Sequence, residues 1–307
     1  MKIKLGDKNG VLLKTENKYV AEDIEVGLTK ADQDALVPNN LRASVLGVEA
    51  GIQDYDGTYD GEAINSQAII DGMIDGTTTE ITSNVESMRD YTFYNCTYLK
   101  SIDLPNLKIV GNSCFTNCSS LETVNLPSAT QIRSSSTFAN LSKLSSVNIP
   151  NVITIPSSCF INCTSLKSID LPNVNTLNTY VFNGCYFLNY INIPKVTSIG
   201  NGCFMACERI ESILLPCVTS IGSQAFFNNY SLKSIVIEQT DKVCTLANVN
   251  AFNNCYHILG TVNSYNPTGA KDGYIYVPDS LVDSYKSATN WSTYADQIKP
   301  LSEYVEE

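Results

Sequence analysis

Phe93, Phe115, Phe138, Phe160, Phe182, Phe204 and Phe226 follow one another at steps of 22 residues, with a single step of 23 before Phe138. Twelve residues after each of the first six stands a proline: Pro105, Pro127, Pro150, Pro172, Pro194 and Pro216. A fixed period in the twenties is the mark of a solenoid, because each unit can bury its apolar face only against its neighbours. Such a chain presents surface. Binding is therefore the expected role, and catalysis needs support of its own.

One unit shows the local logic. Counted from Phe160, Cys163 stands at +3, Leu166 at +6, Ile169 at +9, Leu171 at +11, Pro172 at +12, Val174 at +14 and Leu177 at +17. Apolar residues recur at +9 and +11 in the other units: Ile102 and Leu104, Val124 and Leu126, Val147 and Ile149, Ile191 and Ile193, Ile213 and Leu215, Ile235 and Ile237. A period of two predicts a short strand with one buried face, with +8 and +10 turned to solvent. The proline ends the strand, since it has no N–H to donate to a ladder. The return half, with Ile155, Ser157, Cys159 and Phe160, reads as a tight turn or a helical turn. Parallel strands stack about 4.8 Å apart, so seven rungs make a sheet roughly 30–35 Å long. The extra residue before Phe138 falls in the return half and leaves the strand register untouched.

The pattern F-x-x-C-x-x-L-x-x-I-x-L-P, from Phe115 to Pro127 and from Phe160 to Pro172, resembles the BspA-type (Treponema-type) leucine-rich repeat over residues 78–260. The resemblance implies an α/β-type leucine-rich-repeat solenoid. It would be right-handed, with a parallel sheet on one face and short helical or turn segments on the other. It also implies a bacterial or protist surface class linked to adhesion, and it carries no catalytic residue. The departures are local. Leu141 and Asn229 replace the +3 cysteine, and the stretch after Ile237 delays Phe252 by four residues and lacks the proline.

A solenoid end exposes core and must be capped. Residues 261–307 read as that cap: a strand over 274–277 ended by Pro278, then Asp279 as N-cap of a helix carrying Leu281, Val282 and Tyr285. Trp291, Tyr294 and Ile298 form a second apolar set, and Tyr285, Trp291 and Tyr294 are expected to close the last rung. The segment 274–300 resembles the usual ending of such repeat proteins in gut Firmicutes. Residues 1–65 lack the period and read as a small β-rich module, with strands near 11–13, 19–20 and 24–26, joined by a linker over 66–77. Within that module, KTENKYVAEDIEV (14–26) and NLRASVLGV (40–48) resemble modules of phage-tail-associated proteins of Gram-positive bacteria.

A net charge of −11 argues against nucleic acid and anionic membranes, which call for clustered Lys and Arg. No apolar run approaches the roughly 18 residues of a membrane span, and the start, MKIKLGDKNG, has no apolar core of a secretory signal. The expected address is extracellular, cell-surface or virion. Of the eleven cysteines, Cys96, Cys118, Cys163, Cys185, Cys207 and Cys255 share one repeat offset, so they read as small buried apolar thiols. Cys217 and Cys244 break the pattern and are expected to be the reactive ones. With His257 as the only histidine, no metal site, cofactor or catalytic set is expected. Asp54, Asp56 and Asp60 read as a solvated acidic loop rather than a calcium site.

The outward strand residues point to function. They are small and polar in the first rungs (Ser101, Asp103, Thr123, Asn125, Ser146, Asn148) and change towards the C-terminus. The candidate site is Ser168, Asp170, Tyr190, Asn192, Leu214 and Val236, with Tyr190, Leu214 and Val236 as an apolar patch inside a polar rim. The alternative is that the cap or the insert at 238–250 covers that patch. The expected function is non-catalytic binding of a protein or glycan at a host or bacterial surface. The alternative is a structural or host-recognition part of a phage tail, joined through residues 1–65. Acidic charge around the patch favours a neutral or basic partner.

Overall fold

A computed structural model describes residues 79–82, 92–93, 96–239 and 241–306, together with the backbone of the strands Leu13–Thr15, Lys18–Val20, Ile52–Gln53 and Ser87–Met88. The proposed linker 66–77, Asp54, Asp56, Asp60 and the 40–48 segment lie outside the described residues. Of the 14–26 segment, only the strand backbones are described; Leu13–Thr15 pairs antiparallel with Lys18–Val20. The chain divides into two compact units, Met1–Ile149 and Pro150–Glu307.

In both units the described rungs carry the strand expected at +8 to +10. In the first unit Glu80–Thr82, Ser101–Asp103, Thr123–Asn125 and Ser146–Asn148 pair in parallel, with Ile81, Ile102 and Val124 in register. In the second, Ser168–Asp170 pairs in parallel with Tyr190–Asn192. Ser212–Leu215, Ser234–Ile237, Tyr274–Val277 and Ile298–Pro300 form a further parallel sheet. Side chains at +9 and +11 are buried, from Ile102 and Leu104 to Ile235 and Ile237. Val147 is the departure: it lies on the terminal strand of its ladder and is half-buried.

The return half differs from its expected form. It contains a second parallel strand of two residues, as in Thr154–Ile155, Thr176–Leu177, Ser198–Ile199, Ser220–Ile221 and Thr245–Leu246. Only the second residue of each is buried. Two residues are too few for an alternation to show against the background. The remaining turn surrounds the phenylalanine. Its backbone is hydrogen-bonded rung to rung, as in Phe182 N to Cys203 O at 2.8 Å and Phe204 N to Ala225 O at 2.8 Å. The residue two places after the phenylalanine is left-handed in each described turn: Asn117, Asn140, Asn162, Gly184, Ala206, Asn228 and Asn254 have φ between 59° and 76°. Asparagine and glycine tolerate that region where most side chains do not. At Gly184 an added Cβ would also lie 2.4 Å from the Asn162 Oδ1.

Stacked phenylalanine rings form the spine. Phe93, Phe115 and Phe138 lie 5.6 and 5.3 Å apart in the first unit. Phe160, Phe182, Phe204, Phe226 and Phe252 lie 5.4–5.6 Å apart in the second. The +3 thiols bind the same spine. Cys118, Cys185, Cys207 and Cys255 each donate to the carbonyl of the phenylalanine one rung earlier, at 2.9–3.2 Å. This explains Asn229, whose Nδ2 makes the same bond to the Phe204 carbonyl at 2.7 Å. Leu141 keeps the burial and gives up the donor.

All eleven cysteines stand as thiols, ten of them buried and Cys217 exposed. The expectation for Cys244 is corrected. It is wholly buried beneath Tyr285 and Trp291, which bond its backbone N–H and C=O. Burial pushes the Cys185 and Cys244 thiols up to about 12, so raising the pH to 9 leaves them protonated and inert. Alkylation of the native protein should therefore label Cys217 alone, and the remaining ten only after unfolding. Mass spectrometry would show it, and early labelling of Cys185 or Cys244 would contradict the packing.

At the C-terminal end the last ring, Phe252, meets Tyr294 edge-on at 5.1 Å and Trp291 at 6.0 Å. Their polar atoms are used as well: Trp291 Nε1 donates to the Cys244 carbonyl at 2.6 Å, and Tyr294 donates its hydroxyl to Val249 O. Asp279 does not cap the helix. It lies in a 3-10 turn, Asp279–Leu281, ahead of the helix Val282–Ser287, and its carboxylate accepts from the Ser302 N–H at 3.0 Å.

Candidate binding groove

The outward face of the strands is mostly occupied with itself. Asn125 Nδ2 donates to Asp103 Oδ1 and Asn148 Nδ2 to Asn125 Oδ1, each at 2.7 Å. Asn192 Nδ2 donates to Asp170 Oδ1 at 2.8 Å, and Thr123 Oγ1 to Ser101 Oγ at 2.9 Å. Side chains 22 residues apart face each other at one rung spacing, so a repeated polar residue becomes a ladder. Of the six predicted site residues, Asp170 and Asn192 are thus bound to each other. Ser168 is exposed and in register with Tyr190.

Tyr190 and Leu214 are exposed, at 59% and 45%. Val236 is not: it is 1% exposed, which corrects the three-residue patch. In register it stands between Leu214 on one strand and Tyr276 on the other. Tyr276 packs against Tyr274 and Tyr304, and this aromatic cluster from the C-terminal segment closes that face over the valine. The covering alternative therefore holds for Val236 and fails for Leu214.

Tyr190 opens onto a groove of about 650 Å³, lined also by Lys167, Phe187, Asn189, Arg209 and Glu211. These five stand at offsets +5 and +7, at the corner where the turn enters the strand. The rungs beneath them are tied together: Asn189 N and Tyr190 N both donate to the Lys167 carbonyl, at 2.9 and 3.3 Å, Gly184 N donates to the Met205 carbonyl at 2.9 Å, and Lys233 N donates to the Glu211 carbonyl at 2.8 Å. The floor is therefore preformed. Phe187 is 52% exposed, an apolar ring turned to water beside Tyr190. Glu211 lies 3.8 Å from Lys233 Nζ. Lys167 and Arg209 have no ion-pair partner among the described residues. Beyond Arg209 lies an aromatic shelf, with Tyr230 stacked on Tyr256 at 5.0 Å and Tyr265 donating its hydroxyl to Glu208 at 3.1 Å.

Beyond Tyr190, this groove was not legible from alternation within the strand, because its other five residues precede the strand. A signal did exist in the columns. Position +5 runs Tyr98, Ser120, Lys143, Ser165, Phe187, Arg209, Ser231 and His257, where Phe187 is the apolar ring in a mostly polar series. Chemically the site offers two exposed rings, two cations, a carboxylate and an amide. It holds no nucleophile–base pair. Among the described residues no cluster of potential ligands could hold a metal ion, and no helix is long and apolar enough to cross a membrane.

The BspA type leucine-rich repeat region is matched in six copies, over residues 72–189 and 133–259, which is more than half of the chain. Among solved structures the chain is similar to a leucine-rich repeat protein from Bacteroides ovatus, at 22% identity and a TM-score of 0.47, with 66% of this chain and 55% of that one covered. It is also similar to the T. pallidum leucine-rich repeat protein, at 26% identity and a TM-score of 0.38, with 44% and 65% covered. A leucine rich cell surface protein from Faecalibacterium prausnitzii gives 20% identity and a TM-score of 0.26, with 59% and 75% covered. The chain spans 55% of the Bacteroides ovatus protein. Among curated proteins none matches.

Proposed function

The chain belongs to the BspA type leucine-rich repeat family, and from that premise we propose that it is a non-catalytic recognition module acting at a cell surface, with the Tyr190 groove as its contact site. Leucine-rich repeats are in general binding scaffolds rather than catalysts. The observation that carries the reading is the pair of exposed rings, Phe187 and Tyr190, in a concave site with a preformed floor. Elsewhere the outward polar side chains bond along the stack; here bulky side chains interrupt the small polar series. An exposed aromatic cluster surrounded by polar groups is how recognition surfaces are built. The partner class is a protein or a glycan, and Leu214 on the next rung extends the apolar contact. Adhesion and surface location are part of the same proposal.

The double substitution Phe187→Ala with Tyr190→Ala tests it. Both side chains are about half exposed, so the melting temperature should stay within a few degrees of the parent protein. Binding of the labelled protein to bacterial or host cells should fall at least tenfold, since ring anchors carry most of an interface's energy. Undiminished cell binding would move the contact site elsewhere on the chain.

A further inference from the structure

We propose that the groove recognises a carboxylated sugar, a sialate or a uronate carried on a glycan; this deepens the binding role above and rests on the groove being the contact site. The groove lining carries two cations and one acid, the reverse of the chain's balance. The protein carries a net charge of −11, which by itself favours neutral or basic partners. Yet the lining brings Lys167 and Arg209 to one site without an ion-pair partner among the described residues. The acid of the groove, Glu211, is turned towards Lys233 at 3.8 Å. A carboxylate entering between Lys167 and Arg209 meets donors on both sides, and guanidinium matches it in a two-pronged geometry.

The remaining lining suits a sugar better than an acidic peptide. Phe187 and Tyr190 offer ring surface to the C–H faces of a pyranose. The Asn189 amide both donates and accepts, and the Glu211 carboxylate accepts, as sugar hydroxyls require. The groove runs from Lys167 to Arg209 and Glu211 across two rung spacings, about 10 Å, which accommodates a short oligosaccharide.

Calorimetry on the intact chain tests this with two matched pairs, sialyllactose against lactose and trigalacturonate against its methyl ester. One acidic member should bind at low salt, at least tenfold tighter than its neutral counterpart, and which one binds identifies the sugar. Arg209→Ala and Lys167→Ala should each weaken that binding about tenfold and leave the melt unchanged, and 0.5 M salt should weaken it too. Equal binding of acidic and neutral members overturns the proposal. So does binding of an oligoglutamate peptide, with the same Arg209 dependence, when neither acidic sugar binds; that result leaves the recognition role standing. If no probe binds and Phe187→Ala with Tyr190→Ala also leaves cell binding intact, both the sugar assignment and the groove fall.

Discussion

Phe204→Ala should lower the free energy of unfolding by about 3–5 kcal/mol. The ring is wholly buried, with Phe182 on one side at 5.6 Å and Phe226 on the other at 5.4 Å. Truncation removes one buried ring and two stacking contacts at once. The cavity cannot collapse easily, because the turn backbone on both sides is pinned by rung-to-rung hydrogen bonds, Phe204 N to Ala225 O and Phe182 N to Cys203 O. Urea unfolding followed by circular dichroism reads the effect as a lower midpoint. Phe187→Ala is the internal control: that ring is half in water and its loss should cost well under half as much. A midpoint for Phe204→Ala close to that of the parent would mean that the rings do not hold the stack together.

Val236→Asp and Leu214→Asp should part company, although both replace outward-facing aliphatic residues at the same repeat offset. Val236 is 1% exposed beside Tyr276 on the neighbouring strand, so an ionised carboxylate there has lost its water and gained no partner, and the cost is about 3–5 kcal/mol at pH 7. Leu214 is 45% exposed, and Leu214→Asp should leave the melt nearly unchanged. The pH dependence identifies the cause. Burial raises the introduced carboxyl's pKa in the folded state above its unfolded value of about 3.9. Between those two values the folded protein binds a proton that the unfolded chain has released. The deficit of Val236→Asp is therefore smallest below about pH 4 and grows as the pH rises. Melts of both variants at pH 4 and pH 7 check this; equal effects at the two positions would contradict the burial assignment.

Much of this molecule is written in its repeat. The positions +9 and +11, the phenylalanine spine and the +3 thiols recur every 22 residues, so each is stated many times over and survives local exceptions such as Leu141 and Asn229. Because each rung repeats the neighbour it stacks on, a local pattern also specifies its own packing partner. That is why the buried face was legible from residues alone. Part of the left-handed turn was written there as well, in the asparagines and Gly184 two places after the phenylalanines, although Ala206 adopts the same conformation without that signal.

What tertiary structure alone decided lies where the repeat stops describing the surroundings. Val236 and Leu214 share an offset, yet their exposure differs because Tyr274, Tyr276 and Tyr304 arrive from a distant part of the chain. Cys244 is sealed by Tyr285 and Trp291, some forty residues later. The short return strands carry one buried residue each, too little for any periodicity to register. The groove joins Lys167, Phe187, Asn189, Tyr190, Arg209 and Glu211 from three successive rungs. Sequence places these residues in columns, but only the stacking of unlike rungs turns two rings and two cations into one concave surface.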